Sequence, residues 1–222
     1  MKSSNLIKIF ALLFVCAFCL SVLAGCKEDD VTEDGGSEND PDITQAVLDY
    51  SQINIDDYVK GVTYKGLVLV LKSEDASREA AIWDELLRTA VIESYPEDAV
   101  NYYFAQTKDY YMFIANNDPE AYELLLKSRN MTEEDLMAEA RELVKKDLVY
   151  LYVTEKEGIS ISDGEKAQLF DKYVAAYVSE YGYSAEYVKA NMSELIYDSM
   201  LYDKTLEFLI LNNTFTVAVP QN

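Results

Sequence analysis

Apolar and polar positions fall into three regimes along this chain of 222 residues. Residues 1–25 place Lys2 and Lys8 ahead of an apolar run over 9–23 that closes on small residues. That run is marginal in length for a permanent span, and it has the charged start and small-residue end of a cleaved secretory signal. Residues 27–42 read KEDDVTEDGGSENDPD, with eight acidic residues and Val31 as the single apolar one. Such a stretch buries too little surface to offset its ordering entropy, and its like charges extend it, which predicts a tether. From Ile43 onward the pattern is that of a globular domain with enough residues for a real core.

Within residues 43–222 the periodicity is almost entirely helical. The early exception lies in residues 58–72, where Val68, Leu69, Val70 and Leu71 form a short apolar run after the turn-like Lys65-Gly66. Phe215-Thr216-Val217-Ala218-Val219 is the other β-like run, and the two are expected to pair and bring the chain ends together. Ser73 is expected to cap the first helix, whose Ile82, Trp83, Leu86, Leu87 and Ala90 share one face. Pro96 suits the first turn of a second helix over about 96–116, stopped by Asn116-Asn117-Asp118-Pro119. A short helix over 119–128 follows. Thr132 with Asp135 resembles a capping box and opens a helix to about Lys156, and Ser162 with Glu165 opens another to about Tyr181. Ser184 is expected to cap a single last helix running to about Leu211. Each of these caps is worth about 1 kcal/mol and calls for no functional role. Residues 148–153 and 206–211 are apolar on all sides, which predicts centrally packed helix ends. No repeat of solenoid length is present.

The helix after Pro96 carries the candidate binding surface. A 100° step gathers Val100, Tyr103, Phe104, Tyr110, Tyr111 and Ile114 into one arc, the expected core face. Tyr102 and Phe113 project nearly opposite, with Met112 on the flank. A helix with two separated apolar faces sits between layers or exposes one of them, and exposed apolar patches mark interaction sites. The chain holds 18 tyrosines, a residue that offers large area with few rotatable bonds and a hydroxyl that tolerates water. Methionine adds an adaptable surface. Tyr102, Met112 and Phe113 are therefore the candidate binding residues.

Composition removes much of the remaining chemistry. There are 19 basic and 40 acidic residues, no histidine and three cysteines. Cleavage before Cys26 would remove Lys2 and Lys8, leaving 17 basic against 40 acidic residues and a net charge of −23. That surface repels nucleic-acid phosphates and anionic headgroups, so no nucleic-acid partner is expected. Residues 29–42 lack the ligand order of a calcium loop. Cys16 and Cys19 lie within the segment to be removed. Imidazole catalysis and the common zinc sets are excluded, and no phosphate loop or nucleophile elbow is present. Acidic pairs are too abundant to be informative. The expectation is a non-enzyme with no cofactor and no metal.

Leu23-Ala24-Gly25-Cys26 resembles the lipobox of bacterial lipoproteins. The resemblance implies lipidation of Cys26 and a place on the extracytoplasmic face of the cell membrane; two or more acyl chains anchor stably. A second resemblance runs through residues 58–215. Tyr58-Val59-Lys60-Gly61-Val62-Thr63-Tyr64-Lys65-Gly66-Leu67 is similar to the segment leading into the isomerase domain of bacterial trigger factor. Ala81-Ile82-Trp83-Asp84 through Glu93-Ser94-Tyr95-Pro96-Glu97 resembles that family's return into its chaperone domain. Met131-Thr132-Glu133-Glu134-Asp135-Leu136, Val153-Thr154-Glu155-Lys156-Glu157-Gly158-Ile159 and Ile161-Ser162-Asp163-Gly164-Glu165 resemble its successive helix boundaries.

The resemblance implies a mainly α fold: a multi-helix cradle of the trigger factor C-terminal or SurA-like type, with a small β pairing near the chain ends. The family's ribosome-docking domain is replaced here by the lipobox and tether. Its FKBP-type isomerase domain, which would lie between Leu71 and Ser73, is missing, so no isomerase residue is carried over. The expected domains are a signal peptide over 1–25, a lipidated cysteine and acidic tether over 26–42, and a helical chaperone domain over 43–222. The function this implies is an ATP-independent holdase for unfolded or nascent exported polypeptides. The alternatives are an adaptor lipoprotein with one dedicated partner and, below it, a folding factor associated with prolyl isomerisation. Oligomeric state is left open.

Overall fold

The computed structural model describes residues 48 and 50–218. The expected signal peptide, Cys26 and the tether lie outside the described residues. Among the described residues seven helices dominate, and four short strands form two separate two-stranded sheets. The mainly α fold with a small β pairing near the chain ends is thus the one observed. No described helix is long and apolar enough to cross a membrane. The chain divides into two compact units, one built from Asn54–Pro96 with 141–218 and the other from Glu97–Ala140.

The first unit opens with a 3-10 turn, Ile55–Asp57, capped by Asn54. Strand β1 (Val59–Gly61) pairs antiparallel with β3 (Val91–Ile92), with Val59 opposite Ile92. The sequence pattern left β3 within the helical stretch, because three residues against two are too few to display a period of two. Strand β2 (Val68–Leu71) pairs with β4 (Thr214–Val217), as expected from the two apolar runs, and the pairing is parallel. Gly66, with φ of +72°, makes the turn into β2, a conformation that favours glycine. Asn213 fastens the sheet. Its side-chain amide donates to the carbonyls of Tyr64 (2.9 Å) and Leu209 (2.7 Å) and accepts from the Leu67 N–H (2.8 Å).

Helix α1 (Arg78–Thr89) is capped by Ser77, not Ser73. Ser73 instead accepts the Ala76 N–H and makes a turn after β2, so the cap falls to the next serine before the apolar periodicity begins. Ile82, Trp83 and Leu86 are buried, with Leu87 and Ala90 half-buried on the same stripe. Helix α4 (Glu133–Glu157) buries Val144, Leu148, Val149 and Val153 in this unit, and none of residues 148–153 is exposed. Helix α5 (Asp163–Tyr181) starts at the Ser162/Glu165 capping box and ends at Gly182, φ +73°.

The expected single last helix is two. Helix α6 (Ala185–Asn191) is capped by Ser184, and α7 (Ser193–Leu211) begins after a break at Met192. The Asn191 side chain donates to the Tyr187 carbonyl and the Ser193 hydroxyl to that of Lys189. These back-bonds let side chains compete with the helix ladder on both sides of Met192, which is itself buried. At the far end of α7 only Leu209 is buried, and Leu211 is 76% exposed, so that end is packed on one side only.

Tyrosine hydroxyls organise the interior of this unit. Trp83 stacks on Tyr202 with centroids 5.9 Å apart, and Tyr150 lies 5.9 Å from the same ring. Tyr202 donates to Glu79 (2.8 Å), Tyr173 to Asp203 (2.5 Å) and Tyr64 to Glu157 (2.6 Å). Tyr177, fully buried, shares a 3.0 Å hydrogen bond with Ser199. Burial first, and the carboxylate partner second, push the Tyr64 hydroxyl up to about 12 and raise Tyr173 and Tyr202 well above the ordinary phenol range.

Candidate functional site

The second unit is assembled from α2 (Glu97–Ile114), α3 (Pro119–Ser128) and α4 up to Ala140. Asn116 and Asn117, at φ +54° and +57°, end α2, and asparagine tolerates that region better than most residues. Asp118 then caps α3 by accepting the amides of Glu120 and Ala121, with Pro119 in the first turn. Thr132 and Asp135 bond reciprocally at the start of α4, the capping pattern expected there. These punctuations fold the three segments onto one apolar cluster.

Its buried centre is Tyr111, Ala115, Tyr122, Leu126 and Leu136. Phe104, Tyr110, Met112, Leu125 and Met131 are packed against it, partly buried. On α2 the arc expected to face the core holds Val100 and Tyr111 in buried positions and Tyr103, Phe104 and Tyr110 half-buried. Ile114 departs from it and is 37% exposed. Thr107 fills its middle instead, buried with its hydroxyl returned to the Tyr103 carbonyl.

The candidate client residues are all half-buried. The Tyr102 ring meets that of Tyr103 edge-on, with centroids 5.4 Å apart. Met112 leans on the Tyr111 cluster, and Phe113 follows it in α2's last turn, half-buried. Met112 is thus tied to the core and the two rings lie at its margin. Leu124, 66% exposed on α3, belongs to the same unit and was not singled out from the sequence, because a lone leucine beside Leu125 and Leu126 reads as part of one apolar run.

Two cations sit on the aromatic cluster. The Lys108 ammonium lies 6.0 Å from the Phe104 centroid and 5.9 Å from that of Tyr122, and is 2.6 Å from a Glu133 oxygen. The Arg129 guanidinium lies 5.3 Å from the Tyr111 centroid. The Lys108 hydrogen bond holds the Glu133 carboxyl below the ordinary range and raises the ammonium in turn. Periodicity counts apolar positions only, so neither cation was visible as part of the site. The hydroxyls here are weakly held: Tyr111 donates to the Met131 sulfur at 3.6 Å and Tyr122 to Glu133 at 3.4 Å. The ring quadrupole attracts each cation to the face it lies over.

Among the described residues no group of three or more histidine, cysteine, aspartate or glutamate side chains is placed to hold a metal ion. Comparison of the chain with family models, with curated proteins and with solved structures finds no match.

Proposed function

We propose that this protein is a membrane-anchored, extracytoplasmic and ATP-independent holdase, which binds unfolded or exported polypeptides through aromatic surfaces. The observation that carries this reading is the half-buried aromatic margin of α2, where Tyr102, Met112 and Phe113 lie beside a core whose hydroxyls are weakly engaged. Half-buried rings are already desolvated on one side and present a second side to a client, so they hold many sequences weakly. The resemblance to the trigger factor C-terminal domain belongs to the same reading, as does lipidation of Cys26. The net charge of −21 for the whole chain keeps a loaded complex soluble by self-repulsion.

The test is aggregation of a chemically unfolded protein with and without the full chain, beside a Tyr102→Ala/Phe113→Ala variant whose fold is checked by circular dichroism. A holdase suppresses aggregation, and the variant loses most of that suppression. A well-folded chain that suppresses nothing sinks the reading and leaves an adaptor with a single folded partner. Radiolabelled fatty acid should enter the protein in cells and fail to enter Cys26→Ala.

A further inference from the structure

The sheet of β2 and β4 has an open edge with specific chemistry. The Thr214 N–H donates to the Leu67 carbonyl and the Ala218 N–H to that of Leu71, each at 2.9 Å. With Leu69 opposite Phe215, the parallel ladder uses alternate residues of β2: Leu67, Leu69 and Leu71. The N–H and C=O groups of Val68 and Val70 therefore face away from β4, and no other described residue hydrogen-bonds to them. Backbone donors and acceptors in this arrangement form a template for another strand.

The side chains agree with the backbone. Val68 and Val70 are 68% and 65% exposed, and their cross-strand neighbours Thr214 and Thr216 are exposed too. The opposite face carries Leu69 and Leu71, both buried. Edge strands are commonly guarded by a lysine, a proline or a bulge within the strand. β2 has none of these, and neither strand contains a charged residue, in a chain with 59 of them (19 basic and 40 acidic). The outer face is thus a small β-branched surface beside backbone groups that no described residue meets.

We propose that the outer edge of β2 is a client site that accepts an extended, neutral or basic polypeptide segment as a third strand. Charge selects this occupant. A second copy of the chain brings a further −21 to the contact, whereas a neutral or basic segment meets an uncharged edge on an acidic body. Alternating β-branched side chains on the segment would extend the Val68, Val70, Thr214 and Thr216 surface. The inference rests on the holdase reading and adds a mode of recognition to it: the client's backbone is read at β2, with charge as the filter.

The experiment uses the full chain and a short labelled peptide of alternating valine and threonine with a lysine at each end, followed by fluorescence anisotropy. Two further peptides carry N-methyl groups on one or the other set of alternate residues. One of these two should bind at least about tenfold more weakly, because its amides can no longer reach the Val68 and Val70 carbonyls. Val70→Pro removes an outward N–H, leaves the β4 ladder intact and should weaken the parent peptide similarly. Val68→Lys/Val70→Lys supplies the same blockade should the proline variant fail to fold. Equal binding of all three peptides, or binding that survives the lysine variant, overturns the proposal. So does self-association, by sedimentation, that the variants abolish, since the edge would then belong to a second copy. Aggregation suppression, measured in parallel, separates the two readings. Suppression without edge-dependent peptide binding removes the β2 site alone. Edge-dependent binding without suppression leaves the β2 site standing and removes the holdase.

Discussion

In the unit built from Asn54–Pro96 and 141–218, three tyrosine hydroxyls end on carboxylates: Tyr64 on Glu157, Tyr173 on Asp203 and Tyr202 on Glu79, at 2.5–2.8 Å. In Glu97–Ala140 Tyr111 makes a thioether contact at 3.6 Å and Tyr122 a carboxylate contact at 3.4 Å. The same side chain is a fastener in one unit and a buried ring with a loosely held hydroxyl in the other. A short bond to a partly buried carboxylate fixes the ring in one place, because breaking it strands two polar groups. A ring held by packing and a cation over its face can shift without that penalty. Firmly and loosely held hydroxyls thus come from one residue type.

The largest effect that tests this division is Trp83→Ala. It removes the ring stacked on Tyr202 and should cost about 3–5 kcal/mol in chemical denaturation. A loss under about 1 kcal/mol would show that the stack is not structural. A paired hydroxyl deletion is sharper. Tyr202→Phe strands Glu79 and should destabilise by about 1–3 kcal/mol, whereas Tyr111→Phe should stay within about 0.5 kcal/mol. Equal losses would erase the distinction between firmly and loosely held hydroxyls.

The smallest effect is in pH. The Glu165 carboxyl is lowered to about 2 by the Lys204 hydrogen bond and then by its bonds from Ser162. Its folded value lies below the ordinary 4.5, so its stabilisation is present above that value and is lost as pH falls from about 4.5 towards 2. Asp203 has the opposite sign. Burial raises it, the Tyr173 bond offsets that in part, and the fold gains stability as acidification protonates it above the ordinary aspartate range. Thermal unfolding should therefore show stability rising on mild acidification and then falling below about pH 4.5. Asp203→Asn should flatten the upper limb and Glu165→Gln the lower, and a profile that neither variant alters would refute both assignments.

What could be read in advance follows the range of the forces involved. The Ser162/Glu165 and Thr132/Asp135 boxes, the Asp118-Pro119 start and the Asn116-Asn117 stop are local chemistry, and each is found where its residues stand. The pairing of β2 with β4 was legible because two charge-free apolar runs stood out in an otherwise helical, charged chain, although nothing in either run states that they lie parallel. β1 and β3 were hidden by their brevity. The break at Met192 depends on two side chains turning back onto the ladder, which sequence spacing does not encode. At the aromatic margin, periodicity placed Tyr102 and Phe113 opposite the core, but their degree of burial and the cations over Phe104, Tyr111 and Tyr122 are tertiary outcomes.

Asn213 joins Leu67 across 146 residues of chain, and that separation bears on the order of assembly. Closing so long a loop costs about 4 kcal/mol in chain entropy before any contact is made. The contacts within Glu97–Ala140 close far shorter loops and can form early. During synthesis, which proceeds from the N-terminus, β2 is made long before β4, and until residues 213–217 arrive its inner edge lacks its partner strand. The sheet is the clasp of the first unit, the step that waits for nearly the whole chain, and arrested synthesis before Thr214 would leave Val68–Leu71 open to any neighbouring strand.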